Sequence, residues 1–415
     1  MRNERSKRVP HQGVRAAVLL TLGYTAYYFC RTNFSVGRPS QVAELAAQGW
    51  SAADATGVLG RIATVGVIVG ICGKFLAGSV VGRIGARRAF LLGMLGSVLA
   101  TVAFGFSRGV WALGACWAAN RLVQTLGWPS AVRLIGGWFP AGRHGRVLGL
   151  VSLSWLFGDA LSRAGQARLL SLGWEWRPVF FASAAALALV GLLCLVGLRE
   201  APSASADVSS ADEAPAPEVS PREIFKTPAF ALVCVSAFSF TLVNVTLSEW
   251  LPLYFVRAGM SPGSAALASG LFPLGGGVGA VAFGFTSDRV DTGGRQRLLI
   301  AGLLLAALCL GGFLLAPGAA LAGGLVFLAG LVTGGPYAYA VGAAALDLGD
   351  RKHAATLNGV IDGVGYLGAI LAGEAMARLA GALGWNGALA ALALVCLLGA
   401  GVAAFLSRRP TSPRR

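Results

Sequence analysis

Gly23-Tyr24-Thr25-Ala26-Tyr27-Tyr28-Phe29-Cys30-Arg31-Thr32-Asn33-Phe34 sets one arginine inside an apolar, aromatic run. A guanidinium keeps its charge at any accessible pH, so it cannot enter a bilayer by losing a proton. Ionisable groups at membrane depth are costly and face a bundle interior or a water-filled cavity. Two partners suit Arg31: a bound anion, or a carboxylate from another helix in a buried ion pair.

The surroundings are those of a membrane protein. Of 415 residues, 55% are hydrophobic and 13% charged, with a mean hydropathy of +0.68. The 59 glycines suit transmembrane helices that pack through small residues. A hydrocarbon core of about 30 Å takes roughly 20 helical residues. On that ruler the chain holds twelve apolar spans, at 15–38, 53–81, 89–107, 110–137, 146–171, 178–198, 228–256, 264–287, 297–316, 319–346, 353–379 and 384–406. The hydrophilic stretch Arg199–Arg222, rich in Pro, Ala, Ser and acids, has linker composition and divides the spans six and six.

The formal charge of +16 does not indicate nucleic acid, because the basic residues sit in short loops. With both termini inside, 22 of the 34 lysines and arginines fall in cytoplasmic segments and 6 in outer ones (Arg38, Arg108, Arg168, Arg177, Arg257, Arg378). That bias predicts cytoplasmic termini and a cytoplasmic linker. The basic N-terminus leads into a full-length span with no small-residue cleavage site, which argues against a removable signal peptide. All seven cysteines lie in spans at no ligand spacing, as small hydrophobes do.

The halves repeat one another. Gly78 to Arg83 after span two recurs as Gly284 to Arg289; Gly127-Trp128-Pro129 recurs as Gly334-Gly335-Pro336. Leu156-Phe157-Gly158 answers Tyr366-Leu367-Gly368, and Leu172-Gly173-Trp174 answers Leu383-Gly384-Trp385. Four matches in one order at a nearly constant offset indicate duplication. Two six-helix halves with a site at mid-membrane describe a secondary transporter. The predicted fold is all-α: an N-terminal bundle (1–198), a cytoplasmic linker (199–227), a C-terminal bundle (228–407) and a cytoplasmic tail (408–415).

On these residues the chain resembles the major facilitator superfamily over its whole length. The loop Gly78 to Arg88, with Arg83, Arg87 and Arg88, looks like the family's glycine, acid and arginine signature, with Gly82 where its acid is expected. The second copy keeps Asp288 and Arg289. The resemblance implies that these residues latch helices at the cytoplasmic face. Arg121, with Gln124 and Gly127, resembles the span-four motif, whose arginine is structural or coupling.

A narrower resemblance is to the organophosphate:phosphate antiporters, which include glycerol-phosphate and hexose-phosphate exchangers. It rests on Tyr27 to Phe34, Gly73-Lys74-Phe75, Gly127-Trp128-Pro129, Glu249-Trp250 with Pro252 and Tyr254, and the run from Gly335-Pro336 through His353 to Gly368. Three positions depart from that pattern. Asn244 stands where the exchangers place a second arginine, Trp155 where a histidine is common, and Thr32 where lysine is frequent. The two-arginine phosphate clamp is not intact, so an anion is implied without phosphate being fixed as its identity.

Of the charges inside spans, Asp159 and Arg163 are four apart and suit a pair on one helix face. Arg61 and Glu374 sit toward outer ends, where side chains snorkel to the interface. Arg133, near a cytoplasmic end, suits the latch of Arg143 and Arg146. Arg31 and Lys74 remain as the basic pair nearest mid-membrane. A planar guanidinium fits two oxygens of a phosphate or carboxylate, and an ammonium adds a movable charge. Tyr27 and Tyr28 offer phenolic donors, Asn244 an amide and Trp155 a stacking wall.

Asp362 suits three roles: accepting from a substrate hydroxyl or ammonium, neutralising Lys74, or carrying a coupling proton. A permanent ion pair is its structural alternative. Three functions follow. The leading one is an antiporter of organic phosphates or related organic anions, monomeric, in a bacterial inner membrane. The second is a proton-coupled carrier of a carboxylate or zwitterion. The third is a membrane sensor, since the resembling family includes a receptor-like member, although linker and tail add no signalling domain. No nucleophile–base pair, metal-ligand cluster or phosphate-binding glycine loop points to an enzyme, a metal or a cofactor.

Overall fold

The computed structural model describes residues 11–200, 221–315, 319–348 and 351–408. The first ten residues, most of the linker and most of the tail lie outside the described residues, as do the side chains of Arg146 and His353. The first half runs α1 (His11–Ala47), α2 (Ala52–Ile84), α3 (Ala86–Phe106), α4 (Val110–Gln124), α5 (Gly127–Trp138), α6 (Ala141–Ser171) and α7 (Trp176–Gly197). The second runs α8 (Pro221–Ile224), α9 (Pro228–Arg257), α10 (Pro262–Ser269), α11 (Leu271–Ser287), α12 (Thr292–Leu315), α13 (Ala319–Ala338), α14 (Ala344–Leu348), α15 (Arg351–Leu371) and α16 (Glu374–Ser407). A π-helical turn, Tyr339–Ala343, joins α13 to α14.

Nine segments among the described residues are long and apolar enough to cross a membrane. With α1, the α4–α5 pair and α15 they make the twelve transmembrane helices of the fold. The interruptions have local causes. Pro129 cannot donate to the carbonyl four residues back, and α4 ends just before that position. The wide turn at Tyr339 follows Pro336 in the matching span.

Contacts divide the described chain into two compact units. The first holds residues up to Gly37 and from Val65 to the linker; the second holds Arg38–Thr64 with everything after the linker. The boundary thus differs from the linker-based division. Its cause is local: α1 continues past its span to Ala47, and Arg38, Gln41, Val42 and Leu45 on that extension are buried.

In the first unit α3 packs on α4, α5 and α7, with Tyr27, Phe90, Met94, Leu134 and Cys194 in one apolar core. In the second, α11 and α13 pack almost backbone to backbone. A Cβ on Gly275 or Gly279 would sit 2.1 or 2.0 Å from the Phe327 or Leu331 carbonyl oxygen. On the facing helix, one on Gly330 or Gly334 would meet Phe272 or Gly276 oxygens at 2.0 and 2.4 Å. Small residues at four-residue spacing let two helices meet in this way.

Span eleven breaks at Ala372–Gly373, between α15 and α16. The freed backbone groups are taken up inside the second unit. Thr64 Oγ1 donates to the Ile370 carbonyl (3.2 Å) and accepts from the Glu374 N–H (2.9 Å), and Trp250 Nε1 donates to the Ala372 carbonyl (2.7 Å). Broken helices are tolerated at membrane depth when neighbours satisfy the freed groups in this way.

Candidate functional site

Arg31 lies on α1 in the first unit, half-buried. Its Nε donates to Gln124 Oε1 at 2.8 Å and its Nη1 to the Tyr28 hydroxyl at 3.0 Å, with Cζ 4.9 Å from the Tyr28 ring centroid. Both partners are neutral. Nη2 donates to none of the described residues. Asp159 lies within electrostatic reach of Arg31, but its carboxylate takes the Arg163 Nε at 2.5 Å, the pair that their spacing predicts.

Gln124 is held in turn. Its Nε2 donates to Ser97 Oγ (2.9 Å) and toward the Cys30 and Tyr27 carbonyls (3.4 and 3.5 Å). Ser97 Oγ donates to Asn120 Oδ1 (2.8 Å), and Asn120 Nδ2 donates to the Cys30 carbonyl (2.7 Å) and to Thr101 Oγ1 (3.3 Å). Ser97, Thr101, Asn120 and Gln124 are all buried. With donors and acceptors matched along the chain, the Gln124 oxygen can only face Arg31. An aligned guanidinium with one free edge is what this buried network produces. Gln124 entered the sequence reading only through the span-four motif. A stronger signal is the polar stripe Asn120–Gln124 facing Ser97–Thr101, each pair four apart in an apolar span.

The other predicted site residues separate. Tyr28 joins Arg31, but Tyr27, one position earlier, is in the apolar core with its hydroxyl donating to the Phe90 carbonyl at 2.9 Å. That hydroxyl is spent on α3, a correction to its assignment as a substrate donor. Thr32 is also buried, sharing hydrogen bonds with Ser162 (2.8 Å) and Gln166 (3.1 Å) on α6. The position where lysine is frequent therefore faces a helix interface. Trp155 is half-buried on α6, one turn before Asp159. Lys74 is exposed on α2, next to Gly73, which packs on Thr125 just past the end of α4.

Arg121, read above as structural or coupling, is half-buried one turn before Gln124 and within electrostatic reach of Tyr28. It belongs with the Arg31 cluster. In the second unit Asn244 is half-buried on α9, its Nδ2 donating to the Phe240 carbonyl of its own helix at 2.9 Å, which leaves its oxygen as an acceptor. Asp362 is half-buried on α15 within electrostatic reach of Tyr337.

The loop residues differ from one another. Arg83, Arg88, Asp288 and Arg289 are exposed. Arg87 donates to the Leu198 and Leu195 carbonyls at 2.6 and 2.7 Å, capping the C-terminus of α7. Arg133 likewise donates to the Val81 carbonyl at the end of α2 (3.0 Å). In the second unit, Arg295 grips both oxygens of Asp347 (2.6 and 2.7 Å), and Tyr339 bonds the same carboxylate. The tie at this end is therefore Arg295–Asp347, beside the Asp288–Arg289 motif.

Three further ion pairs escaped the sequence reading. Arg38, counted above as an outer-loop charge, is buried and donates to the Glu249 carboxylate (2.5 Å) and carbonyl (2.7 Å), with its Cζ 4.1 Å from the Trp250 ring. Arg61 and Arg378 both bond Glu374, at 3.0 and 2.7 Å, so Arg61 is paired where snorkelling was expected. Among the described residues no three metal-ligating side chains converge.

Residues 20–373 match the Major Facilitator Superfamily. The chain belongs to that superfamily. Its relatives include the Membrane sensor protein UhpC of Salmonella typhimurium, 27% identical over 94% of this chain and 90% of that protein. The Glucose-6-phosphate exchanger SLC37A2 of Danio rerio is 30% identical over 79% of this chain and 75% of its own length. The superfamily fold recurs in the crystal structure of a D-xylose-proton symporter, with TM-score 0.74 at 17% identity, covering 95% of this chain and 97% of that one. The narrower resemblance read from the motifs, to organophosphate:phosphate antiporters, agrees with these relatives.

Proposed function

We propose that this protein is a secondary active transporter of a small organic anion, an organophosphate of the sugar-phosphate or glycerol-phosphate type, exchanged for phosphate by alternating access. The observation that carries the proposal is Arg31, a guanidinium oriented by Gln124 and Tyr28 with a terminal nitrogen left over. A phosphate or carboxylate oxygen completes such a fork. In this reading Arg31 and Lys74 attract the anionic head, and Trp155, Asn244 and Asp362 recognise the remainder of the substrate. The carrier works as a monomer in a bacterial inner membrane, with both termini cytoplasmic, and makes or breaks no covalent bond.

Phosphate self-exchange in proteoliposomes tests this directly, with unlabelled phosphate inside, labelled phosphate outside, and wild type beside Arg31→Ala. Saturable exchange that the variant loses supports the antiporter. A second reading, a proton-coupled carboxylate or zwitterion carrier, draws support from Asn244, where the exchangers have an arginine. Absence of exchange, with uptake driven by a pH gradient and lost in Asp362→Asn, would replace the first reading with this one. A sensor role, suggested by the name of one relative, predicts ligand binding with neither activity.

A further inference from the structure

Where α3 begins and α7 ends, two helix termini cap each other. The Glu200 carboxylate accepts from the Ala86 and Arg87 backbone N–H groups (3.1 and 3.0 Å), and the Arg87 side chain donates back to carbonyls of the last turn of α7. Each charge sits on the helix end whose dipole it complements. Gly85, with φ 88°, makes the tight corner before α3. These bonds consume Glu200 and Arg87 and leave two guanidiniums over.

Arg88 and Arg199 are exposed, and neither side chain bonds another described residue. Both line an open hollow of about 500 Å³ that also touches Arg87, Glu200 and Val196. Val196 is 82% exposed, and below it Leu192 and Leu189 on α7, with Leu92 and Leu95 on α3, present an apolar surface. The two helices pack on each other, so the hollow sits at the head of a continuous apolar face. The charge bias of the loops puts this end at the cytoplasmic leaflet, the side where anionic lipids attract basic segments.

We propose that this hollow is a binding site for one anionic phospholipid. Its acyl chains lie along α3 and α7, and its phosphate is held between Arg88 and Arg199. Charge complementarity selects the occupant: a zwitterionic headgroup brings its own cation against two guanidiniums that pair with no described carboxylate, whereas phosphatidylglycerol or cardiolipin does not. The site lies apart from Arg31 and does not depend on what is transported.

Native mass spectrometry of the full-length protein in detergent, titrated with cardiolipin and separately with phosphatidylcholine, is the test. Wild type should retain one cardiolipin in preference to phosphatidylcholine. Arg88→Gln with Arg199→Gln should weaken cardiolipin binding about 30-fold, on the order of fivefold per basic residue at a lipid surface. Since neither side chain bonds another described residue, the double variant should unfold at the wild-type temperature. Arg83→Gln, an exposed arginine of the same loop outside the hollow, should bind as wild type does. Equal retention of both lipids, an equal loss in Arg83→Gln, or displacement of cardiolipin by millimolar inorganic phosphate would overturn the assignment. The last outcome would mark the hollow as a site for free phosphate.

Discussion

Arg31 and Arg38 stand two turns apart on one helix, and their surroundings divide by charge. Arg38 is fully buried against the carboxylate of Glu249, which is 24% exposed, with Trp250 stacked on it. Arg31 is oriented by an amide and a phenol. Taking an ion from water costs several kcal/mol, and a close opposite charge repays it. Arg38 is repaid within the fold. Hydrogen bonds to neutral partners orient the Arg31 charge without cancelling it, so its compensation is open to a ligand. The same residue type on the same helix is paired with a carboxylate in one place and oriented by neutral groups in the other.

Breaking the structural pair should have the largest effect. Arg38→Met leaves Glu249 without its partner, and removing one member of a buried pair costs about 3–5 kcal/mol. Thermal unfolding in detergent should report that loss for Arg38→Met and again for Glu249→Leu. The double variant should recover most of it; a double as unstable as the singles would mean the pair's packing, not its charge, is what matters. Arg31→Gln should behave oppositely. Bonds to a charged group are worth ~1.5–3 kcal/mol, so anion exchange should fall about 10- to 100-fold. Its unfolding temperature should stay near wild type, and a large drop there would erase the distinction between the two arginines.

What could be read ahead of the structure follows the range of the interaction. Span hydrophobicity is local, and the twelve crossings are visible in composition. Asp159 and Arg163 are four residues apart, and their pairing is visible too. Arg38 and Glu249 are 211 positions apart, and nothing near Arg38 marks it as buried. The polar overhang beyond it, to Ala47, is helical because it packs in the second unit, not because its own residues resemble a span. Tyr27 and Tyr28 are adjacent, yet about 100° of helix rotation sends one hydroxyl to Phe90 and the other to Arg31. Sequence singled out Arg31 as a candidate. It could not name the amide that aims it, because that role is set by the bonds of Ser97 and Asn120.

The amide allows the comparison to be rewritten in one step. Gln124→Glu places a carboxylate where Arg31 Nε now meets a neutral oxygen, giving Arg31 the kind of partner Arg38 has. Replacing the neutral acceptor of the Arg31 bond by a charged one is worth ~1–1.5 kcal/mol, so the apparent affinity for phosphate should fall about tenfold while the protein stays folded. Gln124→Leu removes the acceptor without adding charge and should cost less, about threefold to fivefold, through lost orientation alone. Should the two variants lose affinity equally, alignment and not neutrality would be the feature that separates Arg31 from Arg38.

The smallest effect belongs to the exposed ion pair. Arg61 is 58% exposed and shares Glu374 with Arg378, so its removal leaves the carboxylate a partner at 2.7 Å. Water solvates both the lost cation and the remaining pair, and exposed pairs of this kind contribute below about 1 kcal/mol. Arg61→Ala should therefore shift thermal unfolding only slightly, beside the large loss in Arg38→Met measured in the same detergent. Both arginines pair with acids on later helices of the second unit, at 2.5 Å for Arg38 and 3.0 Å for Arg61. If the two variants were equally unstable, exposure would not be what sets the worth of these pairs. The contrast drawn at Arg38 would then rest on Trp250 and the Glu249 carbonyl, not on desolvation.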